Sequence, residues 1–202
     1  MWLSARLAGA EAAEQEGRPM PDAVPGATPT TGGSRMTTRV AVPLRTAFRE
    51  AMAFVCSPVA VITTRGHGLP YGTTVSAFTS LSMDPPMVLV SLDRRSQLLG
   101  VVRDSGTFGV NILGSAQAGL AAHFARKGGT GKFADVVWYD DSGLPRLPGL
   151  AGFLGCRVAG LVDGGDHIVV LGDVIAADST PGTPLTYHNR EFGTHVSLKG
   201  AS

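Results

Sequence analysis

Apolar positions along this chain alternate with polar ones more often than they recur at helical spacing. Early on, Leu44, Ala47, Phe48, Ala51, Met52 and Val55 fall at steps of three and four. That spacing predicts an amphipathic helix from Pro43 to Cys56, with Pro43 in its first turn. Beyond it, short runs rich in Val, Ile, Thr and Ser are broken by Gly and Pro. Val59 to Thr64 predicts a strand and Arg65 to Leu69 a Gly-rich turn. Leu69 to Asp93 reads as two strands joined at Asp84-Pro85-Pro86. The first is crowded with Thr73, Thr74, Ser76, Thr79, Ser80 and Ser82. The second, Met87 to Leu92, is almost wholly apolar, as expected of a strand buried on both faces. Ser96 is placed to cap a short helix through Asp104, with Gly106 as its stop. Thr107 to Leu113 predicts a strand, Ala116 to Arg126 another helix, and Gly128 to Lys132 a mobile loop. Phe153 to Val162 and His167 to Ala177 form a long hairpin through Asp163-Gly164-Gly165-Asp166. Pro184 to Val196 contains one more short strand.

Strands dominate this pattern, and they do not alternate with helices in the βαβ rhythm of a doubly wound sheet. The expected fold is mainly β: a small antiparallel barrel with a few peripheral helices, since closure removes exposed edges. The first 42 residues differ. Glu16 to Arg39 is rich in Gly, Pro, Thr and Ser and offers little that could form a core, so 1–42 is expected to be a poorly ordered tail. Met1 to Ala13 has the composition of a short helix but lacks the apolar stretch of a secretory signal. Met36 is an alternative start. Residues 43–202 are expected to form one domain.

Composition adds partners and compartment. The chain has 202 residues, 44% of them hydrophobic, enough for one domain with a real core. Only 16% are charged, below the roughly 25% usual for soluble domains, which points to surface buried against a second copy. A formal net charge of +1 gives no signal for nucleic acid or membrane. Cys56 and Cys156 have no paired spacing, consistent with a cytoplasmic protein. The five His show no metal-ligand spacing.

Hydroxyls and backbone amides on a rigid strand suit a polar, flat or phosphorylated ligand, although a Ser/Thr-rich strand also serves simply as a β-branched strand with a solvated face. The nucleotide motifs fail. Gly128-Gly129-Thr130-Gly131-Lys132 resembles part of a P-loop, but Arg126 replaces the first Gly, Phe133 replaces the Ser/Thr, and no strong strand precedes it. No Rossmann fingerprint, serine-hydrolase motif or zinc-hydrolase motif is present. Asp93-Arg94-Arg95-Ser96 is the better phosphate candidate, because it combines a helix N-terminus, a hydroxyl and two guanidinium groups.

Five segments then occur in order: GTTVSAFTSLSMDPPMVLVSLDRRS; FGVNIL with Gln117 and HFA; Lys132-Phe133; DGGDHIVVLGDV; and PLTYHNREFG. Together they resemble the flavin reductase family of FMN-binding split barrels, the reductase components of two-component flavin-dependent monooxygenases. The resemblance covers Leu44 to His195. It implies FMN or FAD as cofactor, NADH or NADPH as hydride donor, a homodimer, and a separate monooxygenase that receives reduced flavin.

The resemblance also implies site residues. Gly72, Thr73, Thr74, Ser76 and Ala77 match the stretch along the isoalloxazine and ribityl groups. Ser91, Leu92 and Asp93 match the neighbouring strand end, and Ser96 the phosphate site. His123 and Phe124 match a further flavin contact, and Lys132 and Phe133 the loop over the cofactor. His167 matches the histidine on the nicotinamide side and is the candidate catalytic residue. Tyr187, His188 and Arg190 match the segment near the nicotinamide nucleotide. Such a site needs no nucleophile, because the cofactors carry the hard chemistry. Two other readings stay open: a non-catalytic flavin-binding protein, and a split-barrel oxidase using another planar cofactor, of the pyridoxamine-phosphate oxidase kind. The Gly-Asp-His motif and the Arg-Arg-Ser turn argue against the latter.

Overall fold

The computed structural model describes residues 42–198. The expectations for Met1 to Ala13, Glu16 to Arg39 and Met36 lie outside them. In chain order the elements are α1 (Leu44–Ala53), β1 (Ser57–Pro58), β2 (Ala60–Gly66), β3 (Leu69–Val75), β4 (Phe78–Met83), β5 (Pro86–Asp93), α2 (Gln97–Ser105), β6 (Thr107–Ile112), α3 (Ala118–Ala125), β7 (Tyr139–Asp141), β8 (Leu144–Arg146), β9 (Gly152–Gly164), β10 (His167–Ser179), β11 (Leu185–His188) and β12 (Glu191–Thr194). A 3-10 turn, Ser115–Gln117, precedes α3, and another, Gly129–Phe133, follows it.

The fold is mainly β and antiparallel. Seven strands form one sheet in the order β3-β2-β6-β9-β10-β5-β4. Consecutive strands β3 and β4 therefore lie at its opposite ends, joined only by Ser76 and Ala77. So short a link spans at most about 11 Å, so the sheet has to roll until its two edges meet. β3 touches β5 across the gap, and the Ser91 N–H donates to the Ala77 carbonyl at 2.9 Å. The result is a barrel split between β3 and β4.

Period-two alternation sorts the side chains between two cores. Ala60 and Ile62 of β2 point into the barrel with Val88, Val90, Leu92, Phe108, Val110 and Val170. Val59 and Val61 point the other way, toward Phe124, Phe133, Leu147, Phe153 and Leu185. α2 plugs the first core with Leu98, Leu99 and Val102. α3 covers the second with Ala121, Phe124 and Ala125. A buried network ties β8 to the barrel. The Asn111 side-chain amide donates to the Val61 carbonyl at 3.1 Å and to Thr63 Oγ1 at 3.0 Å, and its oxygen accepts the Leu147 N–H at 2.8 Å.

Several sequence expectations need correction. The Ser/Thr-rich stretch is two strands, because the chain must leave one barrel edge for the other at Ser76-Ala77. β5 is buried on one face only: Val88, Val90 and Leu92 face the core, while Met87, Leu89 and Ser91 are half-buried. The first helix ends at Ala53 and buries none of its residues. Gly128 to Lys132 is largely a 3-10 turn. The β7–β8 hairpin was missed, although Ser142-Gly143 is a turn dipeptide and both residues adopt positive φ, 54° and 87°. The C-terminal segment carries two strands, β11 and β12, which form a small sheet with β1.

Candidate functional site

A cleft of about 1020 Å³ opens where β3, the end of β5, the start of α2 and the segment after α3 converge. Its lining contains Gly72, Thr73, Thr74, Ser91, Leu92, Asp93, Ser96 and Lys132, which the resemblance drew from two of the five segments. Tyr71, Val75, Arg95, Gln97, Leu98 and the stretch Ala125 to Thr130 complete it. Of these, Arg126 and Lys127 were missed; their signal was a basic pair directly before two glycines.

β3 supplies one wall. Gly72 is buried there because Phe124 and Phe133 press against it. A Cβ at Gly72 would come within 2.9 Å of Phe124 Cε1 and 3.1 Å of Phe133 Cζ. Thr74 is buried, and its hydroxyl donates to the Ala121 carbonyl at 2.7 Å, so this side chain ties β3 to α3. Its neighbour Thr73 is half-buried, on the alternate face.

The opposite wall runs from β5 into α2. Ser96 occupies the N-cap position of α2, but its hydroxyl makes no capping bond. The hydroxyl and the helix N-terminus therefore both stay available at the cleft. Asp93 accepts the Arg95 N–H at 2.8 Å. Partial burial pushes the Asp93 carboxyl up, but the bonds from Arg95 and the charges of Arg95 and His167 outweigh it and hold it below its ordinary value. The two arginines separate in role. Arg94 is occupied at the β9–β10 turn, with Nε donating to the Gly165 carbonyl at 2.7 Å and its guanidinium paired with Asp163 at 2.6 Å. Of this pair only Arg95 lines the cleft, so the Asp93-to-Ser96 turn offers one guanidinium there, where the sequence suggested two.

The third wall is the Ala125 to Lys132 segment. Gly129 has φ +51°, and a Cβ there would lie 2.7 Å from Gln97 Oε1 at the start of α2. Glycine thus lets this segment close down on α2. His123 Nε2 donates to the Lys132 carbonyl at 2.7 Å, the only direction open to a carbonyl partner. Lys132 Nζ donates to the Gly72 carbonyl at 3.2 Å and the Phe124 carbonyl at 2.9 Å. Burial pushes this ammonium down to about 8.

The remaining expected residues lie off this lining. Phe124 and Phe133 are core side chains, stacked edge to face at 4.9 Å. Ser76 and Ala77 form the link across the split. Tyr187 packs on Phe192 in the small sheet, His188 meets Phe54 edge to face at 6.4 Å, and Arg190 sits in the exposed β11–β12 turn with φ 71°. His167 opens β10 directly opposite Asp93. Its Nδ1 lies 2.7 Å from the Asp166 carboxylate, and that bond holds Asp166 below its usual range. A carboxylate only accepts, so Nδ1 carries the proton of this bond, and in the neutral tautomer Nε2 is the acceptor.

The lining thus offers Arg95, Arg126, Lys127 and Lys132 against Asp93 alone, beside the N-terminus of α2. A strand edge with hydroxyls on one side and excess positive charge on the other fits a flat ligand that carries a phosphate.

Comparison with known proteins agrees. The model of the flavin reductase like domain matches residues 52–195. The chain is 39% identical, over 76% of its length and 83% of the relative's, to the reductase component of a 4-nitrophenol 4-monooxygenase/4-nitrocatechol 2-monooxygenase from Rhodococcus opacus. It is 35% identical, over 72% and 83%, to an FMN reductase (NADH) from Agrobacterium fabrum. Among solved structures, an NADH:FAD oxidoreductase from Streptomyces globisporus, in complex with NAD and FAD fragments, superimposes with a TM-score of 0.71 at 29% identity, covering 78% of this chain and 95% of that one. The extent of the domain match and these identities establish that the chain belongs to the flavin reductase like family.

Proposed function

We propose that this protein is an NADH-dependent flavin reductase that supplies reduced FMN or FAD to a separate monooxygenase. The observation that carries the reading is the cleft itself, with the β3 edge facing the α2 N-terminus across an excess of cations. A bound flavin would supply the redox chemistry, as the acceptor of hydride from a nicotinamide donor. The chain binds, orients and shields. The β3 backbone and Thr73 align the ring system. Ser96, the α2 amides and Arg95 take the phosphate. The Ala125 to Lys132 segment covers the cofactor. Asp166 fixes the His167 tautomer so that Nε2 accepts an amide N–H of the donor. Phe124 and Phe133 act indirectly, by holding Gly72.

The protein is further proposed to work as a homodimer. α1 leaves Leu44 85% and Met52 41% exposed, although its sequence is patterned to bury one face. Cys56 and Cys156 are free, which suits a cytoplasmic location. Among the described residues no helix is long and apolar enough to cross a membrane.

Steady-state oxidation of NADH with and without added flavin tests the reading. Turnover is expected only with flavin present. NADH oxidation by flavin-free protein, or flavin binding without any turnover, would overturn it.

A further inference from the structure

Lys132 carries a charge that the chain does not balance. Its ammonium rests on two carbonyl oxygens, those of Gly72 and Phe124, and is partly buried. Among the described residues no carboxylate pairs with it. The titratable groups around it add little relief. Arg126 and Lys127 follow α3, Arg95 lies at the start of α2, and Tyr71 stands on β3. Asp93, the lone carboxylate of the lining, is held by Arg95. His123 is committed to the Lys132 carbonyl. A half-desolvated cation among other cations is destabilised until an anion arrives.

We propose that Lys132 is the proton-coupled anion receptor of the cleft, taking its counter-charge from the flavin, on the phosphate or on the reduced ring. Below about pH 8 the group is already ammonium when that charge arrives; above it, the free amine takes up a proton from solvent, approaching one as pH rises, and is held as ammonium. The proposal rests on the flavin-reductase reading of the cleft.

The sign follows from linkage. The free protein loses the Lys132 proton through about pH 8, while a neighbouring anion keeps it bound to higher pH. Affinity for the anion is therefore full below that value and falls above it. For one coupled proton the loss is about tenfold between about pH 7 and about pH 9.

The experiment titrates the protein with riboflavin, oxidised FMN and, under anaerobic conditions, reduced FMN. Calorimetry in two buffers of different ionisation enthalpy counts the protons. Lys132→Met is expected to bind the charged form about ten- to a hundredfold more weakly at neutral pH and to lose the pH slope. Lys132→Arg is expected to keep most affinity and also lose the slope, because guanidinium does not titrate there. If the phosphate is the source, Lys132→Met narrows the difference between FMN and riboflavin about ten- to a hundredfold, leaving the share held by Ser96, the α2 amides and Arg95. If the ring is the source, the variant weakens only reduced FMN. Wild-type affinities and slopes in Lys132→Met would overturn the proposal while leaving the flavin reading intact. Should that variant fail to fold, a wild-type slope in Lys132→Arg would overturn it equally. Wild-type protein that binds no flavin would overturn both.

Discussion

Asp93 and His167 face each other across the antiparallel pair of β5 and β10. Directly opposed residues share one face of a sheet, about 5 Å apart. Asp93 lines the cleft and His167 does not, so this register puts His167 one strand away from the lining, on β10 beside the end of β5. The turn that ends in Asp166 orients the ring, and Arg94 clamps that turn from the other side through Asp163 and the Gly165 carbonyl.

His167→Ala is therefore expected to leave flavin affinity nearly unchanged. It should raise the KM for NADH, slow the single-turnover reduction of bound flavin, or both. Flavin titration and stopped-flow reduction measure the two effects separately. Loss of flavin binding with fast reduction of any residual bound flavin would reverse the assignment.

Ser96→Ala is expected to weaken flavin binding about ten- to a hundredfold, the usual result of removing a hydrogen bond to a charged group. Because the Ser96 hydroxyl caps nothing in α2, the thermal midpoint should stay nearly constant. A large loss of stability would mean that the hydroxyl does serve the helix.

Gly72→Ala should disturb the same wall from behind. The new methyl would collide with the Phe124 and Phe133 rings, and such overpacking typically costs about 1–3 kcal/mol. Denaturant unfolding and flavin titration should both register it. Unchanged values in both would show that the aromatic pair can retreat.

Asn111→Ala is expected to destabilise the fold by about 2–4 kcal/mol without reaching the cleft. It strands the buried Leu147 N–H and removes one of the links between the β7–β8 hairpin and the barrel, leaving that from the Thr63 hydroxyl to the Pro145 carbonyl. The denaturant midpoint checks the loss.

Asp178→Asn tests the acid limb. Arg146 holds the Asp178 carboxyl below its ordinary value of 3.8. A carboxyl depressed in the folded state adds stability that is present above the unfolded value and is lost as pH falls through the folded one. The stability gap between wild type and variant should therefore be open at neutral pH and close as pH drops below about 3.8. A gap that stays constant with pH would exclude the ion pair as its source.

Alternation and turn residues by themselves determined β2, β5, β6, the α2 stop at Gly106 and the long β9–β10 hairpin, because local backbone preference and one-sided burial leave their period in the chain. The family resemblance carried by the ordered motifs also implied eight of the residues that line the cleft. Only the tertiary structure decided how those residues are used. The split at Ser76-Ala77 depends on two barrel edges meeting, which no local pattern encodes. Thr73 and Thr74 look alike in the sequence, yet one lines a wall half-buried and the other spends its hydroxyl on Ala121. Arg94 and Arg95 are likewise adjacent, but the β9–β10 turn takes the first and leaves the second to the cleft. The unbalanced charge of Lys132 is a property of its three-dimensional neighbours, because desolvation and counter-charge are set by which groups packing brings near, and packing joins residues far apart in the chain.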